Sequence, residues 1–262
     1  MKTSKIIIAT LIITLIMGLS SCVMNILCID GNGRIESEER SSPEFSKIIN
    51  TTSAEVILTT GEQAGIVIET DSNLLQYYRT SVSNNTLEIE TRGANCIRPS
   101  SKPVIYITVE NINGISLTGS GDLSADNLLG STIEIKSSGS GDMFIEYAEG
   151  DDIKIKISGS GDVMIYDSWS DAVETRLSGS GDLTISGESV DGNFTSSGSG
   201  ECYAGELLLS TSNILISGSG DVYTSVSNEL IASISGSGNI FYKGNPVIYS
   251  NITGSGRLIK VN

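Results

Sequence analysis

The chain has 262 residues and a formal net charge of −15, with 16 Lys plus Arg against 31 Asp plus Glu. So acidic a surface would repel phosphates, which excludes nucleic acid as a partner. No His occurs anywhere, which removes His-dependent triads, HExxH zinc sites and imidazole general bases together.

The first element is a leader. Lys2 and Lys5 precede an apolar run over residues 6–19, followed by "LSSC" ending at Cys22. A basic start, an apolar stretch too short for a membrane span of about 20 residues and small residues at its end predict an export signal. The Cys at its boundary resembles the lipobox of bacterial lipoproteins. That resemblance implies a signal peptide of residues 1–21 and lipid on Cys22; the alternative is cleavage elsewhere, with Cys22 incidental. Loss of Lys2 and Lys5 leaves the mature chain more acidic still, so membrane contact is expected through the lipid anchor. Residues 22–44, with "RIESEER", suit a flexible tether. No acidic cluster follows Cys22, which leaves both faces of an outer membrane open, cell surface or periplasmic.

Residues 45–262 are expected to form the fold, because 29 Gly with only 4 Pro and 5% aromatics suits many short strands joined by Gly, Ser and Asp turns. "AEVILTT", "GIVIET", "NTLEIET" and "KPVIYITVE" read as strands, and "NLLQYYRTSV" is the best candidate for a short helix. Residues 45–115 are read as degenerate coils that cap one end of a solenoid. From 116 to 262 a repeat takes over. Gly-Ser-Gly occurs eight times, beginning at Gly119, Gly139, Gly159, Gly179, Gly198, Gly218, Gly236 and Gly254, at spacings of 18 to 20 residues. The next residue is Asp122, Asp142, Asp162, Asp182, Glu201, Asp221, Asn239 or Arg257. Apolar residues alternate after it, which is the strand period of two. A second turn-rich patch, such as "AEGDD" or "DSWSD", falls about ten residues later, so each period is expected to hold two strands of about five or six residues.

A propeller blade needs about 40 residues, so eight such periods would make only four small blades. One coil per period instead predicts an all-β fold, a parallel β-helix or solenoid with two sheets. Its coils of about 20 residues stack at about 4.8 Å into a rod of about 40 Å. Gly at the corner is expected both for its permissive backbone angles and for close approach between coils, with Ser bonding neighbouring backbone.

The segment from "DGNGRIESEERSSPEFSKIINTTSAEVILTTGEQ" through "VIYITVENINGISLTGSGDL", with the Gly-Ser-Gly-Asp series, resembles the autotransporter adhesin head GIN domain family over residues 30–262. The resemblance implies a β-helix of pectin-lyase-like architecture in a Bacteroides-type lipoprotein. It also implies an adhesion role and no established catalytic residues.

Several chemistries remain to weigh. Asp122, Asp142, Asp162, Asp182, Glu201 and Asp221 would stack as an acid row. Either calcium sits between them or each acid stabilises its turn by bonding backbone. Paired carboxylates on a β-helix also raise a polysaccharide hydrolase, or a lyase with Arg176 as its basic group. Uniform repetition argues against a catalytic centre, so no enzyme is expected. Beside the acids, strand parity places Phe144, Met164, Tyr203, Tyr223 and Phe241 on the outside, in one row with Ser124, Thr184 and Ile259. Such a stripe could be a homo-oligomer interface, a platform for glycan or a host or envelope surface, or a strip covered by the chain itself. The leading reading is a lipid-anchored binding or adhesion module; the alternatives are a carbohydrate-active enzyme and a purely structural envelope protein. Among the cysteines there is no CxxC pair. Cys28–Cys96 is the disulfide to test in an exported chain, and Cys202 reads as a small core residue.

Overall fold

The computed structural model describes residues 28–93 and 96–261; Lys2, Lys5, Cys22 and the rest of the expected leader lie outside them. The described chain is a β-solenoid of about seven turns. Its strands are β1 (Ile29–Asp30), β2 (Ile35–Arg40), β3 (Lys47–Asn50), β4 (Glu55–Thr60), β5 (Gly65–Asp71), β6 (Tyr78–Ser83) and β7 (Thr86–Thr91). Then come β8 (Ile97–Arg98), β9 (Val104–Val109), β10 (Gly114–Leu117), β11 (Leu123–Leu129), β12 (Thr132–Ser137), β13 (Met143–Ile157) and β14 (Val163–Leu177). The last are β15 (Leu183–Ser196), β16 (Cys202–Ile216), β17 (Val222–Ile234), β18 (Ile240–Lys243), β19 (Val247–Ile252) and β20 (Leu258–Lys260).

Two faces stack in parallel register. On one, β9, β4 and β11 lead into the first halves of β13–β17 and then β18 and β20. On the other, β7, β3, β10 and β12 lead into the second halves and then β19. The expected pair of short strands per period is corrected in the centre. There β13 to β17 are single strands of 13 to 15 residues, because the ladder continues around the second corner. Only the inward alternation slips there: Met143, Ile145, Ala148, Ile153, Ile155 and Ile157 of β13 are all buried. One continuous apolar core runs from Phe45 to Ile240.

The Gly-Ser-Gly corner has a single steric cause. A Cβ on Gly159 would collide with the carbonyl oxygen of Gly139, and one on Gly161 with that of Gly141. The same clash recurs at every later corner. That close approach lets Ser160 N–H donate to Gly139 O at 3.0 Å and Ser180 N–H to Gly159 O at 3.0 Å. The expectation of unusual backbone angles is not met, since no corner glycine has positive φ. Nor do the middle serine hydroxyls bond backbone among the described residues; their contribution to the ladder is the amide.

The N-terminal end is built differently. β2 pairs antiparallel with β5, β5 with β9, and β6 with β7. The expected flexible tether is therefore corrected over residues 35–40, where "IESEER" forms a strand that covers the edge of β5. Its charged side chains on an outermost strand disfavour pairing with a further chain. The expected helix reduces to one 3₁₀ turn, Leu75–Tyr77, before β6 begins at Tyr78. The β-branched and aromatic residues of "YYRTSV" favour the strand. Cys28 and Cys96 form a disulfide, and β1 pairs with β8 beside it.

Asp71 ties this end together. It has no accessible surface and sits opposite Ile35 in the β2–β5 pairing. Oδ1 accepts from Gly33 N–H at 2.7 Å and from the Ser100 hydroxyl at 2.7 Å, while Oδ2 accepts from Ser100 N–H at 2.8 Å. Burial opposes its ionisation, but the Ser100 and Gly33 donors together outweigh burial and hold the carboxyl below the usual aspartate range.

Two outcomes follow from this packing. Gly159→Ala is expected to cost about 2 kcal/mol or more in urea unfolding, whereas Ser160→Ala changes stability by less than about 0.5 kcal/mol. Equal effects would contradict the close-approach account. Asp71→Asn is expected to cost about 2 kcal/mol at neutral pH. Because the folded pKa is depressed, that advantage is present above the ordinary aspartate value near 4 and is lost as pH falls through the lower folded value. The gap between wild type and Asp71→Asn, followed by denaturant midpoint against pH, should narrow below about pH 4.

Candidate binding face at the corner row

In-register stacking converts each residue just past a corner into a rung. Asp142 N–H donates to Asp122 Oδ1 at 3.0 Å, Asp162 N–H to Asp142 Oδ1 at 2.9 Å, and Asp182 N–H to Asp162 Oδ1 at 2.8 Å. Glu201 N–H donates to Asp182 Oδ1 at 2.7 Å, and Asn239 N–H to Asp221 Oδ1 at 2.6 Å. Asn239 Oδ1 then accepts from Arg257 N–H at 3.1 Å. Each short acid thus caps the backbone of the next coil. Glu201 breaks the chain of caps: its carboxylate instead accepts from the Tyr203 hydroxyl at 2.5 Å. That bond first, and burial second, pushes the Tyr203 phenol up to about 12.

At the N-terminal end of the row Lys102 Nζ lies 2.7 Å from Asp122 Oδ2 and 3.3 Å from Glu55 Oε2. The Lys102 hydrogen bond holds the Asp122 carboxyl below its usual range, and Asp122 in turn raises Lys102. Among the described residues no three His, Cys, Asp or Glu side chains converge as a metal-holding group. One oxygen of each capping aspartate, Oδ1, is engaged by a backbone amide. Arg176 does not join the acids; its guanidinium bonds Glu174 at 2.7 and 3.0 Å.

The neighbouring stripe faces outward. Phe144 and Tyr203 are exposed, while Met164, Tyr223 and Phe241 are half-buried. The structure brings only the last three aromatics together. Tyr203 and Tyr223 stack with centroids 5.1 Å apart and planes at 16°, and Tyr223 and Phe241 stack at 4.7 Å and 9°. Both faces of Tyr223 are therefore occupied by its neighbours, and it offers solvent only an edge. Such pairs contribute about 0.5–1.5 kcal/mol each, which makes the stack a strut between coils. Phe144 and Met164 stand apart from it. Cys202 is fully buried, and burial pushes its thiol up to about 12.

The strongest exposure of aromatics lies elsewhere. Tyr166 and Trp169, both 59% exposed, project from the second corner of β14. Reading for recurrence overlooks them because neither recurs; the signal was a lone Trp in the turn-rich patch "DSWSD".

The family model described as "putative auto-transporter adhesin, head GIN domain" matches residues 44–170 and 149–246. The chain belongs to this family. Among solved structures it is similar to a "putative lipid binding protein" from Parabacteroides distasonis, with 27% identity and a TM-score of 0.82, covering 89% of this chain and 99% of that one. A "putative adhesin" from Parabacteroides merdae shares 21% identity and a TM-score of 0.85, again over 89% and 99%. A "putative adhesin" from Bacteroides fragilis shares 24% identity and a TM-score of 0.69, over 89% and 100%. At their identities the last two show the fold alone. No curated protein matches the chain.

The capping role of the acids separates it from ion binding. Asp162→Asn keeps an acceptor oxygen and is expected within about 0.5 kcal/mol of wild type, as native Asn239 illustrates, while Asp162→Ala costs about 1 kcal/mol. A thermal shift on calcium addition that Asp162→Asn abolishes would show instead that the row binds the ion.

Proposed function

We propose that the chain is a lipid-anchored binding module of the bacterial cell envelope, held on the outer membrane through Cys22, which engages extracellular or envelope surfaces without chemistry. The observation that carries this reading is a set of exposed apolar and aromatic side chains on a rigid scaffold. Phe144, Tyr166, Trp169, Tyr203 and Leu208 are each 40 to 59% exposed, and large apolar side chains held in water on a regular scaffold are available to a partner. The membership in an adhesin family supports the same role. The Cys28–Cys96 disulfide fits an exported chain.

Catalysis finds less support. The aspartates of the corner row are near-identical rungs, each with Oδ1 capping backbone, whereas a glycosidase sets one acid apart from its partner by environment. A glycan array read beside a polysaccharide-degradation assay tests the proposal. Retention without product, unchanged by Asp142→Asn and Asp162→Asn, is the expected result. Product formation that those two substitutions abolish would replace the module with an enzyme. Radiolabelled palmitate incorporation that persists in Cys22→Ser would remove the anchor.

A further inference from the structure

In the stack of Tyr203, Tyr223 and Phe241 the central ring spends both faces on its neighbours, and the most exposed aromatic side chains lie elsewhere. Trp169 is the single Trp of the chain and carries no core function at 59% exposure. In register it lies between Glu149 on one coil and Glu188 on the next, and neither can cover an indole as a stacked ring would. The ladder also shifts register between Ile165 and Trp169, where β15 is one residue shorter than β14. The indole therefore stands at a break in the repeat.

Beside it is an open depression of about 580 Å³. Its lining includes Gly130, Ser131 and Gly150, two of which lack any side chain, together with the acids Glu149, Asp151 and Asp171. Glu149 is positioned: the Tyr147 hydroxyl donates to its Oε2 at 2.9 Å, which leaves Oε1 free. Among the described residues none of Glu149, Asp151, Asp171 and Glu188 makes an ion pair, and no cation lines the depression. This combination is an apolar face with hydrogen-bond acceptors around it and no base. A pyranose presents the complement, a C–H face and a ring of hydroxyl donors. Uronates, sialates and sulfated sugars would meet the three lining carboxylates and be repelled.

We infer that the depression beside Trp169 is a subsite for a neutral pyranose, which stacks on the indole and donates hydroxyl protons to Glu149 and Asp151. This rests on the binding-module reading and supplies its site and ligand class.

The lone Trp reports directly on the site. The full chain would be titrated with xylotriose, mannotriose, maltotriose and chitotriose while indole emission is followed, with trigalacturonate and tetramethylammonium as charged controls. A saturable blue shift with at least one neutral trisaccharide, insensitive to added salt, is expected. By calorimetry, Trp169→Ala and Ser131→Tyr should weaken that sugar about tenfold or more, the first by removing the face and the second by filling the depression. Both positions are exposed, so both variants should fold with unchanged melting. Tyr147→Phe, which only releases Glu149, should weaken it several-fold. A shift seen only with tetramethylammonium, and lost in salt, would mark a cation site and overturn the inference; so would a shift seen only with trigalacturonate, or with none of these probes. Glycan-array retention that survives Trp169→Ala and Ser131→Tyr would sink this subsite and leave the module standing. Absence of retention by the wild-type chain would sink the module itself.

Discussion

Contact between the corner glycines of successive coils is the constraint on which the molecule depends. The carbonyl of Gly139 occupies the space that a Cβ on Gly159 would need, and this recurs along the stack. With the corner locked at hydrogen-bonding distance, every residue a fixed number of positions away must fall over its counterpart one coil below. Core rows, acid rungs and the aromatic stack are consequences of that register. A side chain at the corner would not merely add local strain; it would separate the two coils and interrupt both faces of the ladder.

Register also decides what the outer surface can do. Aromatic residues on adjacent coils are about 4.8 Å apart, close to ring-stacking distance, so the inner rings of a run are covered by their neighbours. Tyr203, Tyr223 and Phe241 illustrate this. A repeated surface is therefore good scaffold and a poor source of singular sites. Distinctive geometry arises where the period changes, as at the missing residue between β14 and β15, and where the row does not repeat, as at Trp169 between Glu149 and Glu188.

The sequence made the fold legible where composition repeats. Gly-Ser-Gly with its alternating flanks predicted coils, inward rows and the buried Cys202, because one stacking geometry selects the same residue type at each turn. It misled where tertiary context overrides local pattern. "IESEER" reads as a solvated tether because nothing local reveals that β5 needs an edge partner. "NLLQYYRTSV" carries a helical hint that pairing with β7 overrides after a single turn. The acids were visible as a row able to bond backbone, but the expected partner was each acid's own turn, whereas the amide they cap lies a whole coil away. The stripe was visible by parity, whereas ring orientation was not. Trp169 left no such signal, because a residue that occurs once does not recur.

The acid row shows how a repeat tolerates what it should not. Neighbouring unit charges at about 4.8 Å repel by about 1 kcal/mol even in bulk water. A carboxylate accepting a backbone N–H returns about 1.5–3 kcal/mol, so the hydrogen bond outweighs the repulsion at each rung. That balance favours Asp, whose short side chain reaches the next amide; Glu201, one methylene longer, turns to Tyr203 instead. The row is also bounded. Lys102 neutralises its first member, and its last two positions are Asn239 and Arg257, which carry the same capping series to its end without further negative charge. A cation between the rungs is thus not required to explain why so many acids share one edge.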